Sequence, residues 1–386
     1  MNLPQPSPDA LEQSARLVSR LRSLIEAQDG WISFATYMAE ALYTPGLGYY
    51  SGGAHKFGPG GDFITAPELT PLFGQALAAQ VQQVMGLSAP HIIEAGAGTG
   101  LLAADLLLEL EHRGTLPDSY GILEVSGELR ERQFDTLAAK VPHLASRVRW
   151  LDSLPERFSG VLVANEVLDV MPVHLVAWRP DGIFERGVAL GADGNFAWAD
   201  KPASGKVAEA AAALDIQLPE EGEYVSEINL AGRAWIAEWA ARLERGAMLL
   251  VDYGYPRAEY YLDSRATGTL LCYFRHHAHG DPFLWPGLND ITAFVDFTAV
   301  AEAGFEAGLD VLGYTNQATL LFNCGVLECL ARRAPEDSVD YIRASKAVQR
   351  LTGPHEMGEL FKVIALGKDI TQPLLGFLRG DRLHAL

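Results

Sequence analysis

HIIEAGAGTG, residues 91–100, is a short apolar run that breaks into three glycines and opens a helical pattern at Leu101. An apolar run of this kind reads as a strand, and glycines between strand and helix let the backbone approach a ligand at the carboxyl edge of a sheet. A dinucleotide fingerprint would place a further glycine at position 101, where Leu101 stands. The pattern is instead GxGxG with Glu94 two residues before Gly96. A carboxylate there suits a ligand with a cationic amino group and no pyrophosphate. The plainer alternative is a strand–helix turn that needs glycine for its own geometry.

Downstream of this stretch, apolar runs alternate with helical patterns: YGILEVS, a helix from Gly127, VRWL, then GVLVANEVLD. This rhythm belongs to βαβ units, hence to an α/β fold with a mostly parallel sheet and helices on both faces. It breaks over 173–225, where HLVAW, GIFERGVAL and NFAWAD read as hairpins and an Ala-rich helix follows near Lys206, so an inserted subdomain is expected. The core resumes with a helix from Glu227 to Leu243, the strand AMLLVDYGY, a helix near Ile291 to Ala303, GLDVLGYT, helices to about Arg350, and FKVIALG. Upstream, Ser7-Pro8, Ser33 and Thr70-Pro71 each start a helix. Between them lies the Gly- and aromatic-rich stretch from Tyr43 to Gly74. The expected organisation is an N-terminal helical and Gly-rich cap over 1–90, a core over 91–368 with its insertion, and a C-terminal tail over 369–386.

Polar residues at the strand ends carry the chemistry. Glu124 ends the second strand, further from Gly96 than the roughly 20 positions of dinucleotide enzymes. Its carboxylate can accept both ribose hydroxyl hydrogens of an adenosine and would disfavour a 2′-phosphate, or it is a solvated strand end. Gly96, Gly98 and Gly100 with Glu94 and Glu124 then describe a site for an adenosine cofactor that carries a cationic methionine amino group. Asn165, Glu166 and Asp169 crowd the end of the fourth strand, where burying them is costly unless they bind something. The alternative there is an Asn165-capped turn beside a solvated glutamate. Asp252 and Tyr253 are weaker candidates of the same kind. His276, His277 and His279 lack the cysteine or carboxylate spacing of a metal site, so no metal is expected and a polar loop is the simpler reading.

Composition narrows the partners. The 386 residues are 48% hydrophobic and 20% charged, enough to bury a large core. A formal net charge of −19, with no basic run, argues against nucleic acid. Cys272, Cys324 and Cys329 form no CxxC pair and read as buried hydrophobes of a reducing compartment. No apolar stretch approaches the roughly 18 residues that span a bilayer, and the N-terminus lacks the marks of a signal or transit peptide, so a cytoplasmic protein without membrane insertion is expected. The oligomeric state stays open, a homodimer included.

Taken together, LYTPGLGYYSGG, GGDFITAPELTPLFG, EAGAGTG, ILEVSGELRERQ, ANEVLDVMPV, LLVDYGY, HGDPFLWPGLNDITAFVDF and MGELFKVIALG resemble the MidA-like family, which includes the mitochondrial complex I assembly factors that act as protein arginine methyltransferases. The resemblance runs from about Phe34 to Gly367, and with no recognisable mitochondrial presequence a bacterial member is expected. It implies the class I Rossmann-like methyltransferase fold, a seven-stranded sheet whose last strand, FKVIALG, is antiparallel. It also implies that Gly61, Asp62, Thr65 and Glu68 join Gly96, Gly98 and Glu124 around S-adenosylmethionine, that Glu166 and Asp169 lie near the acceptor, and that the acceptor is an arginine of a protein such as a respiratory complex I subunit. Guanidinium, with a pKa above about 12, is not deprotonated by an ordinary side chain, so a carboxylate would orient it, Glu166 before Asp169. Two rivals remain. One is a non-catalytic assembly chaperone that keeps the cofactor fold. The other is an NAD-dependent oxidoreductase, disfavoured by Leu101.

Overall fold

The computed structural model describes residues 3–51, 65–220, 222–333 and 338–386. The chain forms two compact units, one built from Met1–Phe63, Leu168–Ala234 and Arg257–Val295, the other from Ile64–Val167, Trp235–Pro256 and Asp296–Leu386.

In the first unit, Ser7 caps the helix Pro8–Ala27 by accepting the amide of Ala10, and Leu17, Leu21 and Ile25 recur every fourth residue on its buried face. Ser33 caps the helix Phe34–Tyr43 in the same way. Both helices share a core with Val173, Leu175, Val188, Cys272 and Ile291. The expected hairpins form an antiparallel sheet in which His174–Arg179 and Phe196–Pro202 flank Gly182–Leu190. Tyr224–Ile228 adds beside His174–Arg179. The sequence placed Glu227 in a helix. It lies in this strand instead, where the amides of Thr269 and Leu270 donate to its carboxylate, and the helix starts at Leu230. Likewise Ile291 lies in the strand Asp290–Thr292, and the helix expected there starts at Phe297 behind an Asp296 cap.

The second unit carries the parallel sheet. Its core strands are β1 (His91–Ala95), β2 (Ser119–Leu123), β3 (Val148–Leu151), β4 (Phe158–Asn165), β5 (Leu243–Tyr255), β6 (Asp310–Asn316) and β7 (Phe361–Lys368). They lie in the order β6-β7-β5-β4-β1-β2-β3. β1, β2, β3, β4 and β5 pair in parallel, while β7 runs antiparallel to both β5 and β6. This is the class I arrangement that the resemblance implied. β4 and β5 are nearly continuous apolar runs because helices cover both sheet faces. One covering layer is α1 (Leu72–Leu87) with α2 (Leu101–His112), whose Leu77, Val81, Leu102 and Leu106 share a core with Val161, Val163, Leu249 and Val363. The strand order reverses beside β1, and α/β sheets hold their ligands outside such a switch point.

Candidate active site

β1 ends at Glu94 and Ala95, and the chain turns through Gly96, Gly98 and Gly100, all at positive φ. Gly100 caps α2 in the left-handed region, and a β-carbon there would sit 3.0 Å from the Cα of Gln133. Around Gly98, at φ +51°, a β-carbon would meet no atom of the described residues within 4 Å. The turn is thus crowded on its packed side and open beside Gly98, the form a backbone cradle for a ligand requires. Gly96 donates its amide to the carbonyl of Leu123 at 3.0 Å, which ties the turn to the end of β2.

Glu94 is only 2% exposed, and the Tyr120 hydroxyl donates to its Oε2 at 2.6 Å. Burial pushes the Glu94 carboxyl up to about 7, against the pull of that hydrogen bond. Glu124 is 6% exposed, which excludes the solvated strand end. The Ser126 amide donates to its Oε1 at 2.9 Å and the Gln133 amide donates to its Oε2 at 3.0 Å. Burial raises its pKa, and these hydrogen bonds oppose the rise. Ser126 also caps α3 (Gly127–Lys140) by accepting the amide of Leu129. One short segment therefore positions both the carboxylate and the helix that supports it.

At the end of β4, Asn165 Nδ2 donates to Glu166 Oε1 at 3.0 Å. Glu166 is half-buried and has φ +54°, a conformation that costs a non-glycine residue about 1–3 kcal/mol and gathers at functional sites. Its amide donates to the Val251 carbonyl at 2.9 Å. Asp252, 1% exposed, holds the same turn: its Oδ2 accepts the amide of Val167 at 3.2 Å and its Oδ1 accepts the amide of Tyr253 at 2.9 Å. Read from sequence as a weaker site candidate, Asp252 supports the strained turn through the backbone.

Of the segment assigned to the cofactor by resemblance, Gly61 and Asp62 lie outside the described residues. Thr65 precedes the short helix Ala66–Leu69, and Glu68 accepts from the Thr99 hydroxyl at 3.5 Å, the long end of a hydrogen bond, bringing this segment to the glycine turn. Asp169 belongs to the first unit, 4% exposed, with its carbonyl accepting the amide of Ala293. The histidines lie in the first unit as well. His276 and His277 are exposed, whereas His279 is buried, accepting the amide of Asp281 at Nδ1 and facing Asn289 Oδ1 at 3.0 Å with Nε2, so its ring anchors a loop. Among the described residues, no group of three or more His, Cys, Asp or Glu could hold a metal. No helix among them is long and apolar enough to cross a membrane.

Sequence reasoning did not single out Tyr120 or Gln133. Tyr120 reads as a strand aromatic and Gln133 as an ordinary helix residue. The only available signal was that Gln133 closes the ILEVSGELRERQ motif.

Comparison with known proteins agrees with this geometry. The family described as "Putative S-adenosyl-L-methionine-dependent methyltransferase" matches residues 72–315. The mitochondrial protein arginine methyltransferase NDUFAF7 of Mus musculus is 32% identical over 377 residues, covering 87% of this chain and 81% of its own. The Homo sapiens protein of the same name is 31% identical over 375 residues, covering 87% and 80%. A crystal structure from Burkholderia thailandensis, bound to S-adenosyl-homocysteine, superposes with a TM-score of 0.95 at 52% identity over the full length of both chains. With its core strands in class I order and its glycine turn open beside Gly98, the chain belongs to this family of S-adenosyl-L-methionine-dependent methyltransferases.

Proposed function

We propose that the protein methylates an arginine side chain of another protein, with a respiratory complex I subunit as the first acceptor to test. The relatives named protein arginine methyltransferase match 87% of the chain, which supports this acceptor class. The observation that carries it is Glu166, a carboxylate held in a strained conformation at the carboxyl edge of the sheet and braced by Asn165.

The residues fit the cofactor. The open side of Gly98 receives it, Glu124 accepts from ribose hydroxyls, and Glu94 answers the methionine amino group. Gly96 and Gly100 shape the turn, with Thr65 and Glu68 beside it. Bound there, S-adenosylmethionine supplies an electrophilic methyl group on a sulfonium. Guanidinium stays protonated at neutral pH, so the acceptor side needs a carboxylate that pairs with the planar fork and orients one nitrogen. Glu166 does this, with Asn165 fixing the rotation of its carboxylate. Asp169, assigned to the acceptor by the resemblance, is the second candidate.

The test uses labelled S-adenosylmethionine with a bacterial lysate, with mass spectrometry locating the labelled residue. Label on arginine in the wild type is expected. Glu166→Gln keeps shape and loses charge, so cofactor affinity should stay near constant while methyl transfer falls roughly 10²- to 10⁴-fold. Label on lysine, a carboxylate or a small molecule would overturn the arginine reading. Equal transfer by Glu166→Gln would remove Glu166 and move the role to Asp169, tested by Asp169→Asn.

A further inference from the structure

Gln133 lies in α3 with no exposed surface. Its Nε2 donates to the Gly98 carbonyl at 3.0 Å and to Glu124 Oε2 at 3.0 Å, and its Oε1 accepts from the Trp150 indole Nε1 at 2.9 Å. An indole N–H can only donate, so the amide oxygen must face Trp150 and both amide hydrogens must face the two acceptors. Chemistry therefore fixes which way this amide points. Gly100 packs on the same residue, since a β-carbon there would lie 3.0 Å from the Gln133 Cα. A single side chain on the helix after β2 is thus bonded to the turn after β1, to the carboxylate at the end of β2, and to an indole on β3.

We propose that Gln133 is a positioning residue for the cofactor: it sets the separation of the glycine turn from Glu124 and holds that carboxylate as a ribose acceptor. The inference rests on reading Gly96 to Gly100 and Glu124 as the cofactor site. The residue type follows from the chemistry. Lys or Arg beside Glu124 would occupy the carboxylate with a full ion pair. Glu or Asp would force two buried carboxyls to share a proton. An amide supplies one hydrogen bond to the carboxylate and one to the turn without a charge, and a carboxylate with about four acceptor sites keeps room for ribose hydroxyls.

The experiment is calorimetry of S-adenosylhomocysteine binding to the full chain, a ligand that needs no acceptor protein, so the arginine reading plays no part in the outcome. Wild type, Gln133→Met, Glu124→Gln and the double variant form a cycle, with thermal melting to verify folding. Gln133→Met should weaken binding about tenfold or more, the scale of a hydrogen bond to a charged group. In the Glu124→Gln background the same change should cost no more than about threefold, because the partner it positions is already impaired. Equal losses in both backgrounds, or none from Gln133→Met, would overturn the proposal while leaving the site in place. Wild-type affinity in Glu124→Gln would overturn both together, and that outcome is read from the single variant alone. Should Gln133→Met not fold, Gln133→Glu decides: its affinity relative to wild type should fall as pH rises from 5.5 to 7.5, as the shared proton is lost. A flat ratio would sink the idea.

Discussion

At the scale of single residues, Glu94 has the clearest pH signature. Burial pushes its carboxyl from the usual 4.5 to about 7, with the Glu124 carboxylate adding to the rise and Tyr120 opposing it. Because the folded value lies above the unfolded one, the folded state binds the extra proton. Its contribution to stability is fully present below about pH 4.5 and is lost as pH rises through about 7. In the proposed site cofactor binding would run the other way, since an ammonium group is met best by the ionised carboxylate. Affinity for S-adenosylhomocysteine should therefore rise between pH 5.5 and 7.5, and Glu94→Gln should bind more weakly at pH 7.5 with a flatter profile. Calorimetry at the two pH values checks this. A wild-type profile as flat as that of Glu94→Gln would remove the carboxylate from the site.

At the scale of elements, the turn from β1 into α2 separates the needs of the fold from those of the ligand. Among the described residues Gly98 has open space beside it, so Gly98→Val meets no packed atom of theirs and suffers the strain of a β-branched residue at φ +51°, about 1–2 kcal/mol. The variant should remain folded, melt a few degrees lower, and lose cofactor binding because its side chain fills the cradle. Unchanged affinity in a folded Gly98→Val would count against the turn as the binding element. This turn was legible in the sequence because local rules fix it: an apolar run, glycines and a helical period. The same rules gave the α/β class and the strands from β1 to β7. Long-range partners were not legible. Gln133 depends on Gly98, Glu124 and Trp150 meeting it from three other segments, and Asp252 acquired its role from a backbone turn far away in sequence. Glu227 escaped its expected helix for a similar reason, since the amides of Thr269 and Leu270 and the Tyr260 hydroxyl bind its carboxylate inside the first unit.

At the scale of the whole chain, segments distant in sequence build each unit. Arg257–Val295, read from sequence as part of the core, groups with the N-terminal segment in the first unit, whereas Leu72–Leu87, read with the cap, covers the parallel sheet. The segment after β7 offers a direct test of this kind of assembly. From sequence, 369–386 is a tail, yet Ile370, Leu374 and Phe377 are buried in the core of the second unit. The amides of Leu375 and Gly376 donate at 2.7 Å to Gln83 and Gln80 of α1. Along the edge strand β6, the Arg382 amide donates to the Tyr314 carbonyl at 2.7 Å and the Thr315 hydroxyl donates to the Gly380 carbonyl at 2.8 Å, so the tail covers backbone that an open sheet edge would expose. The Arg382–Glu359 ion pair, with both partners about 40% exposed, adds little by comparison. Three buried apolar side chains at about 1.5–3 kcal/mol each approach the roughly 5–15 kcal/mol that hold a whole domain folded. Ending the chain after Lys368 should therefore lower the melting temperature by more than about 10 °C or yield aggregates paired through the bared edge, whereas Arg382→Ala should shift it by only a few degrees. Differential scanning calorimetry and light scattering on the three proteins distinguish these outcomes. A monodisperse truncated protein that melts with the full chain would show that the segment is an appendage and that β6 protects its own edge.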